Sequence, residues 1–387
     1  MTAKLAPRNF LVSLITAYVV GFLPLVITPW VFEDAVTRCG AGMAGSAGGT
    51  IVGATALAAV IGALIPSGRH RLLGFAGVAL VAGGSLVAAF DRSCGAGGLV
   101  GEVLVGLGCG TGYAVGLAIA GQTEDPTRSF GRLWIAFVLW QAVLLFVGPY
   151  LIPATPLGLW LIPLLLVPFY LAGCIFLVPA EKIERRPAEL SDTPRSAFAP
   201  ATLLLIGGSV FLYMRDGTSW ALTAHFAEKA GLSPERYGLL AGIASLLALL
   251  GPLALERLTT GRARRWGAMF GVLAGFALSV SFVTLHSPLS FTLTILPYSG
   301  IGLAAVTLLM GWISETDTSG RAVGLAGGLS IALHAVGTAS AGYAEATGGP
   351  TAPLLLVLTY GTLDVICVAA AVLFVRAGPR AAVGQSA

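Results

Sequence analysis

The stretch 203–220 reads LLLIGGSVFLYMRDGTSW, an apolar run interrupted by an arginine and an aspartate side by side. A charge facing hydrocarbon at the centre of a bilayer costs about 2.5–3.5 kcal/mol or more. If this segment crosses a membrane, Arg215 and Asp216 must therefore turn towards protein or water. Successive helical residues point about 100° apart, so the pair cannot share one direction. Asp216 falls on a face with Tyr213 and Trp220, at offsets of three and four, and Arg215 on a face with Thr218 and Ser219. The expectation is a helix that shows a broad polar and aromatic sector to a wet cavity.

The rest of the chain is of a kind that provides such a setting. Of its 387 residues 56% are hydrophobic and 10% charged, against about 25% charged in soluble domains. Mean hydropathy is +0.88. This composition cannot coat a soluble fold and points to an all-α polytopic membrane protein embedded in a lipid bilayer. The 52 glycines suit helices that approach closely within a membrane. A net charge of only +4 implies no nucleic-acid surface. Five cysteines and four histidines form no CxxC pair and no Cys/His cluster, so neither a metal site nor another cofactor is expected. GLGCGTG (106–112) sits inside an apolar segment with no strand before it and reads as close helix packing, not as a dinucleotide loop.

A spanning helix needs about 20 mostly apolar residues. Segments of that kind lie at roughly 9–31, 46–66, 72–90, 97–120, 133–152, 156–178, 199–227, 235–255, 266–285, 290–312, 322–343 and 353–375, which predicts twelve spans. The first follows Lys4 and Arg8 and resembles a signal sequence, but it runs on to Trp30 without a small-residue cleavage site and is read as a helix that stays. With a cytoplasmic N-terminus, only Arg38, Arg92, Lys229 and Arg236 of the 22 Lys and Arg fall outside, and only Arg215 falls within the membrane. That bias orients both termini to the cytoplasm. The polar segment 179–198 divides a six-helix bundle at 1–178 from another at 199–378, and 379–387 form a cytoplasmic tail. Twenty mixed-charge residues are too few for a core, so 179–198 reads as a linker. Cys39 and Cys94 fall in outside loops, where an oxidising compartment could join them. Glu33 and Asp34, at the outer end of the first span, read as solvated loop residues.

The halves resemble each other: IPSGRHRLLG (65–74) follows the second span and GPLALERLTTGRARRWG (251–267) the eighth. A basic turn after the second span of each six-span half is similar to the layout of the major facilitator superfamily. Gly251, Glu256, Arg257, Gly261, Arg262, Arg264 and Arg265 resemble that family's loop signature, which implies a loop tying helices together during gating. Of the first-half copy only Gly68, Arg69 and Arg71 are kept. Gly106, Gly108 and Gly110 match the glycine spacing of the family's fourth-helix motif, with Glu102 in place of its arginine. Gly148 and Pro149 resemble the core of the fifth-helix motif associated with antiporters, with Leu144 where a glycine stands. The resemblance implies two six-helix bundles around a central cavity, alternating access, and a monomer in the cytoplasmic membrane.

Within that frame the seventh span lines the cavity. Arg215, with its planar fork of donors, is a candidate to bind an anionic group of the substrate. Tyr213, Trp220, Gln141 and Tyr298 are further candidate substrate contacts, the last flanked by Pro297 and Gly300, where the tenth span is expected to bend. Asp216, Glu102 and His334 are candidates to carry a coupling proton, carboxylates because burial favours their neutral form and histidine because it titrates near neutrality. Asp364, on a span that is peripheral in this family, is expected to pair with a neighbouring helix, and Arg215 has Asp216 and Asp364 as alternative partners. The leading expectation is a secondary active transporter that moves a small organic solute with protons, in the direction of efflux. Arg215 favours a second reading, import of a carboxylate-bearing metabolite. A membrane-embedded enzyme or a non-transporting sensor is the alternative of another class. Four scattered histidines and tails with no room for a signalling domain speak against both, so no enzyme activity is expected.

Overall fold

The computed structural model describes residues 11–65, 69–91, 96–121, 126–153, 155–176, 199–251, 261–316, 321–349 and 351–377, and its regular structure there is entirely helical. In chain order the helices are α1 (Leu11–Cys39), α2 (Ala41–Leu64), α3 (His70–Phe90), α4 (Ala96–Gly121), α5 (Pro126–Leu151), α6 (Leu161–Ile175) and α7 (Pro200–Ala221). They continue with α8 (Thr223–Lys229), α9 (Pro234–Ala248), α10 (Gly261–Thr284), α11 (Pro288–Thr316), α12 (Arg321–Thr347) and α13 (Ala352–Ala377). Ten of the described helices, α1 to α6 and α10 to α13, with α6 extended by the helical turn Gly158–Trp160, are long and apolar enough to cross a membrane. The chain is thus a multi-pass membrane protein.

Local chemistry shapes the helices that matter for the cavity. α1 is not regular: Leu14–Gly21 is π-helical, and a turn at Phe22 precedes Pro24. Proline removes an N–H and π-turns widen the helix, so the backbone is re-aimed at this level. α7 starts with Pro200 at its first position and stops at Leu222, after which the seven-residue α8 sets off anew. Between α1 and α2 a single residue, Gly40, turns the chain at φ 85°, where a side chain would be strained.

Packing repeats along the chain. In the first half α4 packs on α2 and α3, and α3 on α6; in the second α11 packs on α9 and α10, and α10 on α13. The halves meet through α2 on α12 and α5 on α9, again an equivalent pair. Both seams are glycine seams. A Cβ on Gly342 of α12 would lie 2.2 Å from the Gly45 backbone of α2, and one on Gly238 of α9 would lie 2.5 Å from the Leu145 carbonyl of α5. Only glycine permits such approach. Within the first half, a Cβ on Gly106 or Gly110 of α4 would strike the Ile51 or Thr55 carbonyl of α2, and one on Gly108 would meet α3 at Gly77 and Val81. GLGCGTG is therefore a packing surface. The Gly148–Pro149 pair is one too: Gly148 accepts the Trp30 ring and Pro149 abuts Gly238.

The tightest of these seam glycines, Gly45, Gly342, Gly148 and Gly238, lie towards the end where α1 finishes and α2 begins, called here the far end. At the opposite, near end, a Cβ on Gly327 or Gly328 would meet nothing within 4 Å among the described residues. Among the described residues, these close contacts between the halves lie at the far end.

Candidate central cavity

A cavity of about 170 Å³ lies between the halves. The first half contributes Phe22, Leu25, Val26, Trp134, Phe137, Val138 and Gln141; the second contributes among others Tyr213, Arg215, Asp216, Trp220, Tyr298, Ser299 and His334. The five predicted substrate contacts thus converge on one space, together with Asp216 and His334. Glu102 does not join them. It is 5% exposed in the first half and faces a separate small pocket with Arg38, Asp91 and Trp160.

The first-half wall is aromatic. The Phe22 ring lies 5.4 Å from that of Trp134, 5.1 Å from Phe137 and 5.0 Å from Tyr113, the last edge to face. The π-helical turn of α1 delivers Phe22 to this level, and Trp134, Phe137 and Gln141 are placed by the three- and four-residue spacing of α5. Sequence reading missed Phe22, Trp134 and Phe137. The spacing of the last two with Gln141 was the available signal, but aromatic residues at helical spacing are common in any apolar span.

The second-half wall carries the charges, and it divides the pair that opened the sequence. Arg215 is 3% exposed and Asp364 0%. Their Nη1 and Oδ2 lie 3.0 Å apart, and the same nitrogen reaches the Val272 carbonyl at 3.3 Å. On the same side of α7, Thr218 donates to the Gly337 carbonyl of α12 at 3.0 Å, and Ser219 is fully buried. The expected broad wet sector is therefore narrower than its sequence reading. The Arg215 stripe is sealed against neighbouring helices, because burial of an arginine demands a paired acid and Asp364 on α13 supplies it. Arg215 borders the cavity with its charge already matched.

Asp216 is different. Its side chain is 34% exposed. Tyr298 of α11 donates to its Oδ1 at 2.7 Å, and His334 Nδ1 of α12 stands 3.6 Å from its Oδ2. His334 is buried, and neither ring nitrogen makes a hydrogen bond within the protein. α7 and α12 are pressed together here: a Cβ on Gly217 would lie 2.2 Å from the His334 carbonyl, and one on Gly337 would lie 2.1 Å from that of Met214. This contact holds the imidazole beside the carboxylate. Trp220, one turn further on, donates to the Leu25 carbonyl of α1 at 2.8 Å and ties the halves together above the cavity.

Beyond Trp220 the far end is held by charge as well as by glycine. His225 of α8 lies 3.3 Å from Glu33 of α1 and 3.3 Å from Glu345 of α12, and Lys229 reaches Glu345 at 2.6 Å. Glu33 is therefore not a simply solvated residue, as its position at the end of a span suggested; it crosses to the other half. Asp34 pairs with Arg38 one turn away at 2.6 Å. His225 lies beyond the break that ends α7. Hydrogen bonds to Glu33 and then Glu345 push its pKa up to about 9. Glu33, His225 and Glu228 bring donor atoms within 4.8 Å of one another, but Glu33 and His225 already pair, and no metal is assigned.

Of the predicted gating loop, Glu256 and Arg257 lie outside the described residues. Gly251 packs on α11, where a Cβ would lie 2.9 Å from the Gly300 carbonyl. Gly261 starts α10, Arg262 is exposed, Arg264 pairs with Glu315 of α11 at 2.9 Å, and Arg265 stacks over Trp312 at 5.7 Å. Cys39 is disulfide-bonded, whereas Cys109, Cys174 and Cys367 are free. Cys94 lies outside the described residues.

This architecture has known counterparts. The chain superposes on the structure of the POT family transporter PepTSo with a TM-score of 0.71 at 11% identity, covering 96% of this chain and 98% of that one. A mutant of the nucleoside transporter NupG gives 0.67 at 14% identity, covering 96% and 99%. A structure on substrate recognition in proton dependent oligopeptide transporters gives 0.63 at 14% identity, covering 95% and 96%. The chain shares the fold of these three structures. At these identities the likeness carries the fold and no more. No family model matches the chain, and no curated protein matches it in sequence.

Proposed function

We propose that this protein is a secondary active transporter that moves a small organic solute across the cytoplasmic membrane by alternating access, coupled to protons, in the direction of efflux. The observation that carries the reading is the central cavity itself: it lies between the halves, is closed over by their seams at the far end, and holds a one-third-exposed carboxylate against a histidine with no hydrogen-bond partner among the described residues. A site between two halves that meet along two equivalent seams can be opened to either side by rocking one half on the other. In this reading α7 and α9 complete twelve spans in two bundles, both termini are cytoplasmic, and the structure is the inward-facing state. Asp216 with His334 carries the proton; Tyr213, Trp220, Tyr298, Gln141 and Arg215 frame the solute. Glu102, remote from the cavity, would take part in proton handling only through the first-half pocket it occupies. Arg264 and Arg265 would hold α10 to α11 as the near end opens and closes. Import of a carboxylate has less support, since the Arg215 charge is matched by Asp364.

The test compares metabolites in cells and medium for the wild type, an Asp216→Asn variant and cells without the transporter. A solute retained inside when the transporter is missing or mutated supports export and names the cargo. A solute left unconsumed in the medium would reverse the direction. A variant indistinguishable from wild type, while the deletion differs, would remove Asp216 from the mechanism.

A further inference from the structure

We propose that the cavity selects organic cations, with the positive group on Asp216 and an aromatic or apolar body against Phe22, Trp134 and Phe137, and that cation and proton compete for the same carboxylate. This rests on the transporter reading above and names its substrate class.

The argument is a matching of charges. Asp364 compensates Arg215, with an Nη1 to Oδ2 distance of 3.0 Å. Asp216 faces Tyr298 from α11, a neutral donor, and His334 from α12, neutral unless it takes a proton. Its own helix adds Tyr213, and among the described residues that line the cavity the first half contributes no charged group. With His334 neutral, the wet space holds one uncompensated charge, and it is negative. An anionic solute would meet that carboxylate without a free cation to offset it. A cation would complete an ion pair in a site of low polarity, where attraction is stronger than in water.

The opposite wall suits the same ligand. Ring faces attract cations, tryptophan most strongly. Phe22, Trp134 and Phe137 form one packed group across the cavity from α7. When a proton joins the Asp216–His334 pair, the negative charge is cancelled and the hold on the cation is lost. One proton in and one cation out therefore balance at a single site, which is the stoichiometry of exchange without a second binding step.

The test is calorimetric binding to the full-length protein in lipid nanodiscs, with three probes of one shape: benzyltrimethylammonium, its neutral isostere neopentylbenzene, and benzylsulfonate. Benzyltrimethylammonium should bind at least tenfold more tightly than the other two at pH 8. Its affinity should fall as the pH is lowered, with protons released on binding. Asp216→Asn should abolish the preference for the cation, and Phe137→Leu should weaken it several-fold while leaving the sign of the preference. Equal or tighter binding of the neutral or anionic probe, no binding of any probe to the wild type, or an Asp216→Asn protein that still prefers the cation would each overturn the proposal. Failure of the two readings is separable. A chain that binds the cation but moves no solute in cells sinks the transporter reading. A chain that exports a neutral or anionic metabolite keeps that reading and loses this one.

Discussion

Arg215 and Asp216 are adjacent in sequence and opposite in circumstance. Arg215 turns between α10 and α13, loses nearly all solvent, and is matched by Asp364 at 3.0 Å. Asp216 turns 100° away, keeps a third of its surface exposed, and among the described residues pairs with a tyrosine hydroxyl and a histidine. One residue of helical rotation separates a charge used to hold helices together from a charge left available to a ligand. Intramembrane position alone therefore does not distinguish the two charges. What distinguishes them is how wet and how fully matched each remains after the helices have packed.

The sharpest way to break this contrast is to remove one partner of the sealed pair. Asp364→Ala strands a buried guanidinium, and losses of about 3–5 kcal/mol are expected from such a change. The variant should show a much lower melting temperature and poor yield in detergent. Replacing both partners, Arg215→Met with Asp364→Leu, should recover most of the stability, since well-packed apolar substitutes for a buried pair are often neutral or better. Full transport by that double variant would confine Arg215 to a structural part.

Next in size is Asp216→Asn. The fold should survive with its melting temperature nearly unchanged, because the group is partly hydrated, while solute flux falls by roughly tenfold or more, the scale of losing a charged hydrogen-bonding group. A collapse in stability instead would place Asp216 with Arg215. Gly342→Ala tests the seam that lets the cavity close. Its Cβ would lie 2.2 Å from Gly45, and overpacking typically costs about 1–3 kcal/mol. The far end should then stay open, seen as faster labelling of a cysteine placed at Ala346.

A smaller effect is expected at the charged latch. The His225 pKa is raised to about 9 by its carboxylate partners when the far end is closed. A raised histidine pKa contributes closure that is complete below its ordinary value near 6.5 and is lost as the pH rises through about 9. Labelling of the far end should rise over that window, and His225→Gln should flatten the profile. Smallest is Tyr298→Phe, which removes the 2.7 Å hydrogen bond to Asp216 but leaves its charge. Flux should persist, reduced several-fold, with its pH dependence displaced.

Much of the architecture was written in one dimension. A chain that is 56% hydrophobic and 10% charged specifies a multi-pass helical protein because hydrocarbon tolerates no unpaired backbone. The three-and-four periodicity put Tyr213, Asp216 and Trp220 on a common face, and all three line the cavity. That correspondence holds because the geometry of a single helix is local. Pairings between helices are not. Nothing near Arg215 in the chain singles out Asp364, 149 positions away, over Asp216 beside it. Nothing near Glu33 announces His225, and nothing in α4 says that Glu102 would be walled off from the site that Gln141 and Tyr298 reach. Composition and periodicity settled that the chain lives in a membrane as helices and which residues share a helical face. The tertiary structure alone decided which faces become seams and which stay wet, because that depends on how closely glycine lets each pair of helices approach.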